Sequence, residues 1–203
     1  MSNTTLASDH AQRIRCWFDL SSNPPIRFPD YESDPPQPGQ LHLITGPSGS
    51  GKSLLLRRLR RRWHREFSIY DLDATKLPRS PTIECFSQLH LEDALHLLSR
   101  VGLAEAHTWI LPTHHLSQGQ QWRLKLAIAL MNLRNASRPA ILFADEFAGC
   151  LDPLTARIIS HTLRRQVHTF NLRVLIATSR NDLLNALQPD HVTQCDFGTF
   201  VPQ

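Results

Sequence analysis

The chain has 203 residues, 41% of them hydrophobic and 20% charged, a composition that excludes collagenous, fibrous and wholly disordered proteins. At about 150 residues per domain this length holds one domain, or one with a small appendage. A formal charge of +4 permits a polyanionic partner without identifying one.

Apolar runs are short, Leu126 to Met131 being typical, far below the ~18 residues of a membrane-spanning helix. The first sixteen residues carry no charged stretch followed by an apolar stretch and a small-residue cleavage site, so a cytoplasmic protein is expected. Cys16, Cys85, Cys150 and Cys195 form no CxxC pair, which predicts reduced thiols and no zinc site.

Residues 19–40, rich in proline, serine and aspartate, read as an irregular connection, so that 1–40 forms a leader before a domain over 41–203. LHLITG at 41–46 predicts a strand, and the pattern from Lys52 to Arg65 a helix that buries Leu55, Leu56, Leu59 and Trp63. The arginines of that helix fall largely elsewhere and read as a solvated face; nucleic acid stays open as a partner, but no reader motif supports it. FSIYDLD at 67–73 predicts a second strand. LEDALHLLSRVGL at 91–103 has apolar residues at helical spacing, with Gly102 placed to stop the helix. Ser117 offers a cap for a long helix through WRLKLAIALMNL. PAILFADE, an apolar run without alternation, predicts a strand buried on both faces; a helix over 153–169 and a strand over 172–178 follow. Strands alternating with helices predict an α/β fold with a mostly parallel sheet and right-handed crossovers.

Three motifs carry chemistry. Gly46-Pro47-Ser48-Gly49-Ser50-Gly51-Lys52-Ser53 fits GxxxxGK[ST] between a predicted strand and a predicted helix, the context of a phosphate-binding loop (Walker A). Its backbone N–H groups and helix N-terminus suit an oxyanion, Lys52 reaches the β- and γ-phosphates, and Ser53 suits magnesium. Ile141 to Glu146 is an apolar strand ending in two carboxylates, where open α/β sheets bind ligands. Asp145 suits magnesium and Glu146 an attacking water; with the phosphate loop this reads as Walker B. Between them stands Leu116-Ser117-Gln118-Gly119-Gln120, which alone is no more than a serine-capped helix start.

The order GPSGSGKS, LSQGQ, ILFADE, Leu151-Asp152 resembles the ATP-binding cassette (ABC) ATPases over about residues 41–180. The resemblance implies an ABC-type P-loop fold with a helical subdomain at about 82–135, ATP and Mg2+ as cofactors, and a head-to-tail homodimer around two ATP molecules. Ser117, Gly119 and Gln120 of one copy would then face the γ-phosphate held by the other. It also implies ATP hydrolysis with Glu146, Lys52 and Ser179 as catalytic residues. Gln88 is the candidate for the glutamine that contacts magnesium, and Phe18 or Tyr31 for the aromatic that stacks on adenine. Gln118 stands where the family has glycine, Ser179 where it has the switch histidine, and Ser117 follows Lys52 by 65 residues, a shortened helical subdomain. The run DEFAGCLDPLTAR, with Phe147 where a proline is usual, resembles ABC-type domains fused to acetyltransferase-like domains. A membrane permease as partner, or a slowly hydrolysing ATP-gated binding module, remain alternatives.

Overall fold

A computed structural model describes residues 10, 12–14, 16–18, 31, 33–197 and 199–202. Most of the leader expected at 1–40 therefore lies outside the described residues. Among the described residues six strands form one sheet: β1 (Leu41–Thr45), β2 (Ser68–Asp71), β3 (Ala140–Ala144), β4 (Arg173–Thr178), β5 (His191–Asp196) and β6 (Thr199–Pro202). Their order is β2-β3-β4-β1-β5-β6, with every pair parallel except β5–β6.

Alternate residues of the central strands face opposite ways, which explains their unbroken apolar character. Leu43, Leu142 and Val174 join a core with the helices between β2 and β3 and the helix before β4. Ile44, Phe143 and Leu175 join a second core with the helix after β1. Helices thus cover both faces of the sheet. They are α1 (Lys52–Trp63), α2 (Leu91–Arg100), α3 (Ala106–Ile110), α4 (Gln118–Arg134), α5 (Pro153–Thr169) and the short α6 (Leu184–Leu187).

The elements expected from the sequence are present with trimmed ends. Helix α1 stops at Trp63, and α2 stops at Arg100, where Gly102 takes φ +75° and its N–H reaches Ser99 O. Leu91, expected on the buried face of α2, is exposed. α3, β5 and β6 are not foreseen: HVTQCD alternates poorly, only its Cys195 is buried, and pairing with β1 holds it in the sheet. Among the described residues no helix is long and apolar enough to cross a membrane.

Candidate active site

The loops that follow β1, β3, β4 and β5 meet along one edge of the sheet, the C-terminal edge where ligands of such sheets bind. The pairing Thr45↔Gln194 brings the end of β5 against the loop leaving β1. There Gly46 takes φ +145°, and a Cβ on it would lie 2.2 Å from Cys195 O, so no other residue fits. The chain turns again at Gly51, φ +104°, which caps α1.

Inside this turn the Lys52 ammonium is buried and donates to Gly46 O and Pro47 O, both at 2.9 Å. Two neutral carbonyls leave its charge uncompensated, so an anion entering the loop competes well for it. Ser50 Oγ is fully buried and has no hydrogen-bond partner among the described residues. Such an orphaned hydroxyl costs about 1–3 kcal/mol, and a phosphate oxygen is the acceptor it lacks. The loop fits a nucleotide phosphate.

Strand β3 lies two strands from β1, about 10 Å away, and delivers Asp145 and Glu146 to the same edge. Glu146 is exposed with φ +42°, and its Oε2 accepts from Ser179 Oγ at the end of β4, 3.3 Å away. The turn beyond it is tied to β4: Phe147 N–H donates to Ala177 O at 2.8 Å and Thr178 Oγ1 to Phe147 O at 3.2 Å. Arg180 Nη1 donates to both Ala148 O and Leu151 O, while the rest of its guanidinium grips Asp182. Asp152 then caps α5 by accepting from Thr155 N–H at 2.9 Å; the Thr155 hydroxyl first, and then this backbone bond, hold its carboxyl below the usual range.

Asp73, just past β2, accepts from Asp145 N–H at 2.8 Å. Burial, with further contributions from Asp71 and Asp145, pushes its carboxyl up. The sequence signal is the acidic end of FSIYDLD, a segment whose pattern predicts only a strand. Asp145, with Asp73 beside it, and Ser53 on the phosphate loop carry the oxygen donors that magnesium prefers. Among the described residues no three His, Cys, Asp or Glu side chains form a metal cage of their own.

Ser117 caps α4 in a reciprocal box: Gln120 N–H donates to Ser117 Oγ at 3.2 Å, and Ser117 N–H to Gln120 Oε1 at 2.9 Å. The serine-capped helix start is therefore real, and within one copy the Gln120 side chain serves the cap. The Ser117 hydroxyl proton stays available, and Gln118 is exposed. A Cβ at Gly119 would sit 3.2 Å from Leu151, so the signature turn packs on the turn after Walker B.

Gln88 does not reach this edge. Its Nε2 donates to Met131 Sδ at 3.2 Å, six residues and about 9 Å along α4 beyond Lys125, whose charge acts on Asp73. The side chain bonded to the Asp145 backbone is that of Asp73, not of Gln88. Tyr31 shares a hydrogen bond with Thr193 Oγ1 at 2.8 Å and packs edge-on against Phe200, so it is a packing residue; Phe18 is exposed. On α1, Arg60 pairs with Asp71 while Arg57, Arg58 and Arg61 are exposed.

A family model described as the AAA ATPase domain matches residues 31–176. The chain belongs to these P-loop ATPases, and its sequence relatives are ABC import ATP-binding proteins. The cassette is 40% identical over 103 residues to the hypophosphite import ATP-binding protein HtxD of Stutzerimonas stutzeri, a match covering 50% of this chain and 28% of HtxD. It is 29% identical over 187 residues to the phosphonates import ATP-binding protein PhnC of Hyphomonas neptunium, covering 72% of this chain and 69% of PhnC. The matched part of HtxD is thus under a third of that relative. Among solved structures, the dimeric bacterial ABC transporter cassette MJ0796 superposes with a TM-score of 0.63 at 22% identity, over 83% of the cassette and 86% of that chain. That likeness establishes the fold.

Proposed function

We propose that the cassette binds ATP with magnesium, pairs head to tail with a second copy around two nucleotides, and hydrolyses ATP to ADP and phosphate. The observation that carries this reading is the phosphate loop, with buried Lys52 and orphaned Ser50 Oγ, facing Asp145 and Glu146 across two strands. Residues Gly46 to Ser53 wrap the phosphates with backbone N–H groups, and Lys52 exchanges its two carbonyls for β- and γ-phosphate oxygens. Magnesium, when bound at Ser53 and Asp145, supplies charge neutralisation at the β- and γ-oxygens. Glu146 orients the attacking water and receives its proton as the new bond to the γ-phosphorus forms and the bond to the bridging oxygen breaks. Ser179 holds Glu146 in place, its hydroxyl being the group at the end of β4 nearest that carboxylate.

The N-terminus of α4, with Ser117, Gly119 and the backbone at Gln120, presents donors and a positive dipole end for the partner copy's γ-phosphate. The dimeric neighbour supports this pairing. Residues 41–203 are the ATPase domain, and 1–40 the leader. A second reading, the ATP-binding subunit of an importer with a membrane permease as partner, is favoured by the relatives' names. A cytoplasmic location accords with the free thiols among the described residues.

The test is steady-state ATP hydrolysis with magnesium by the full chain, Lys52→Ala and Glu146→Gln, with light scattering on the same samples. Turnover lost in both variants and an ATP-dependent dimer held by Glu146→Gln is the expected result. A wild type that binds ATP without turning it over sinks the hydrolytic reading and leaves an ATP-gated binding module.

A further inference from the structure

We infer that Trp122, on α4, is a positioning residue for hydrolysis: through the ring of Phe147 it holds the turn that presents Glu146. This rests on the hydrolytic reading above. The two rings meet edge to face, their centroids 5.2 Å apart and their planes at 75°, within the range that aromatic pairs prefer. Phe147 is fully buried and Trp122 half-buried, and Trp122 lies five residues past the Ser117 cap, about 7 Å along the helix. The same end of α4 meets the far end of the turn, where Gly119 lies against Leu151.

The turn needs such a hold. Glu146 and Ala148, on either side of Phe147, take φ +42° and +56°, left-handed conformations that persist in non-glycine residues only where the surroundings enforce them. From the side of β4 the backbone is enforced by Ala177 O, Thr178 Oγ1 and Arg180. Those bonds fix peptide groups and leave the Phe147 side chain to be fixed from elsewhere. Trp122 supplies that contact from the opposite side. With its ring gone, Phe147 is free to turn, and the backbone next to Glu146 can relax toward an ordinary conformation that points the carboxylate away from the γ-phosphate. A ring that only filled space would be replaceable by any apolar side chain.

The test uses that difference. Steady-state ATP hydrolysis by the full chain is measured across ATP concentrations for wild type, Trp122→Leu, Trp122→Phe, Phe147→Leu and the two leucine substitutions combined, with light scattering on the same samples. Trp122→Leu is expected to lower kcat roughly tenfold, with KM for ATP within about twofold and the ATP-dependent dimer retained. Trp122→Phe keeps a ring edge and should restore kcat to within about threefold of wild type. Phe147→Leu probes the pair from its other side and should show the same split, and the combined variant should be no slower than the slower single one, because both losses pass through one contact. An unchanged kcat in Trp122→Leu overturns the inference. So do losses that multiply in the combined variant, or a phenylalanine that restores no more than leucine does, since the ring is then a core filler. A wild type that binds ATP without turnover removes the hydrolytic reading itself, and the role of Trp122 with it.

Discussion

Ser179 Oγ lies 3.3 Å from Glu146 Oε2, so the end of β4 reaches the carboxylate that ends β3. A serine stands here where the resemblance places a histidine, and its one bond goes to the Glu146 carboxylate. A hydrogen bond to a charged group is worth roughly 1.5–3 kcal/mol, and this one is long. Ser179→Ala is expected to lower kcat about tenfold with KM for ATP within about twofold, since Lys52 and Ser50 are untouched. Steady-state kinetics across ATP concentrations decide it; an unchanged kcat removes Ser179 from the mechanism.

Arg180 bonds the carbonyls of Ala148 and Leu151 at 3.2 and 3.0 Å while Asp182 holds its other nitrogens. One guanidinium thereby fixes both ends of the turn that carries Glu146 and leads to Asp152. Arg180→Met is expected to reduce kcat roughly 10- to 100-fold, the cost of misplacing a catalytic group by about an ångström. The dissociation constant for ATP should hold within about twofold. Arg180→Lys, which supplies charge but not the fork, should recover only part of the loss. If ATP affinity and kcat fall together, the arginine serves the fold alone.

What the sequence disclosed depended on how local the signal was. The phosphate loop is a contiguous pattern between an apolar strand and a helix, and its residues lie where that pattern puts them. The Asp145–Glu146 pair was readable once β3 was recognised as buried on both faces. Asp73 was not, because its role depends on the pairing of β2 with β3, which sets Asp71 against Phe143 and brings Asp73 to Asp145 N–H. Gln88, the glutamine that lies between the phosphate loop and LSQGQ in sequence, bonds to Met131. Arg180 and Trp122 escape the sequence for the same reason as Asp73: each matters through a turn distant along the chain.

Gly46 is bound by geometry rather than by flexibility alone. A methyl group there would lie 2.2 Å from Cys195 O, on a backbone at φ +145°. Both β1 and β5 are held in register, so neither moves away without loss. Overpacking and strain together make Gly46→Ala cost about 3 kcal/mol, or roughly 6–12 °C in Tm for a domain of this size. Differential scanning calorimetry checks it. A variant that melts with the wild type means the β5 end gives way.

At the opposite edge of the sheet, His42 on β1 is buried against His191, their ring centroids 4.5 Å apart. Burial, reinforced by His191 and opposed by Asp190, lowers the His42 pKa to about 4. Gln40 Oε1 lies 3.2 Å from its Nε2, and Arg164 holds Asp190. The folded protein thus binds a proton on His42 less readily than the unfolded chain, whose histidine titrates near 6.5. Stability from this group is full above pH 6.5 and is lost as the pH falls toward 4, where both states are protonated. After a discount for the ring's partial contact with water, the loss is about 2 kcal/mol. Thermal melts of wild type from pH 7.5 to 4 should fall more steeply than those of His42→Gln, whose side chain does not titrate. Parallel curves would mean that another group governs the acid limb.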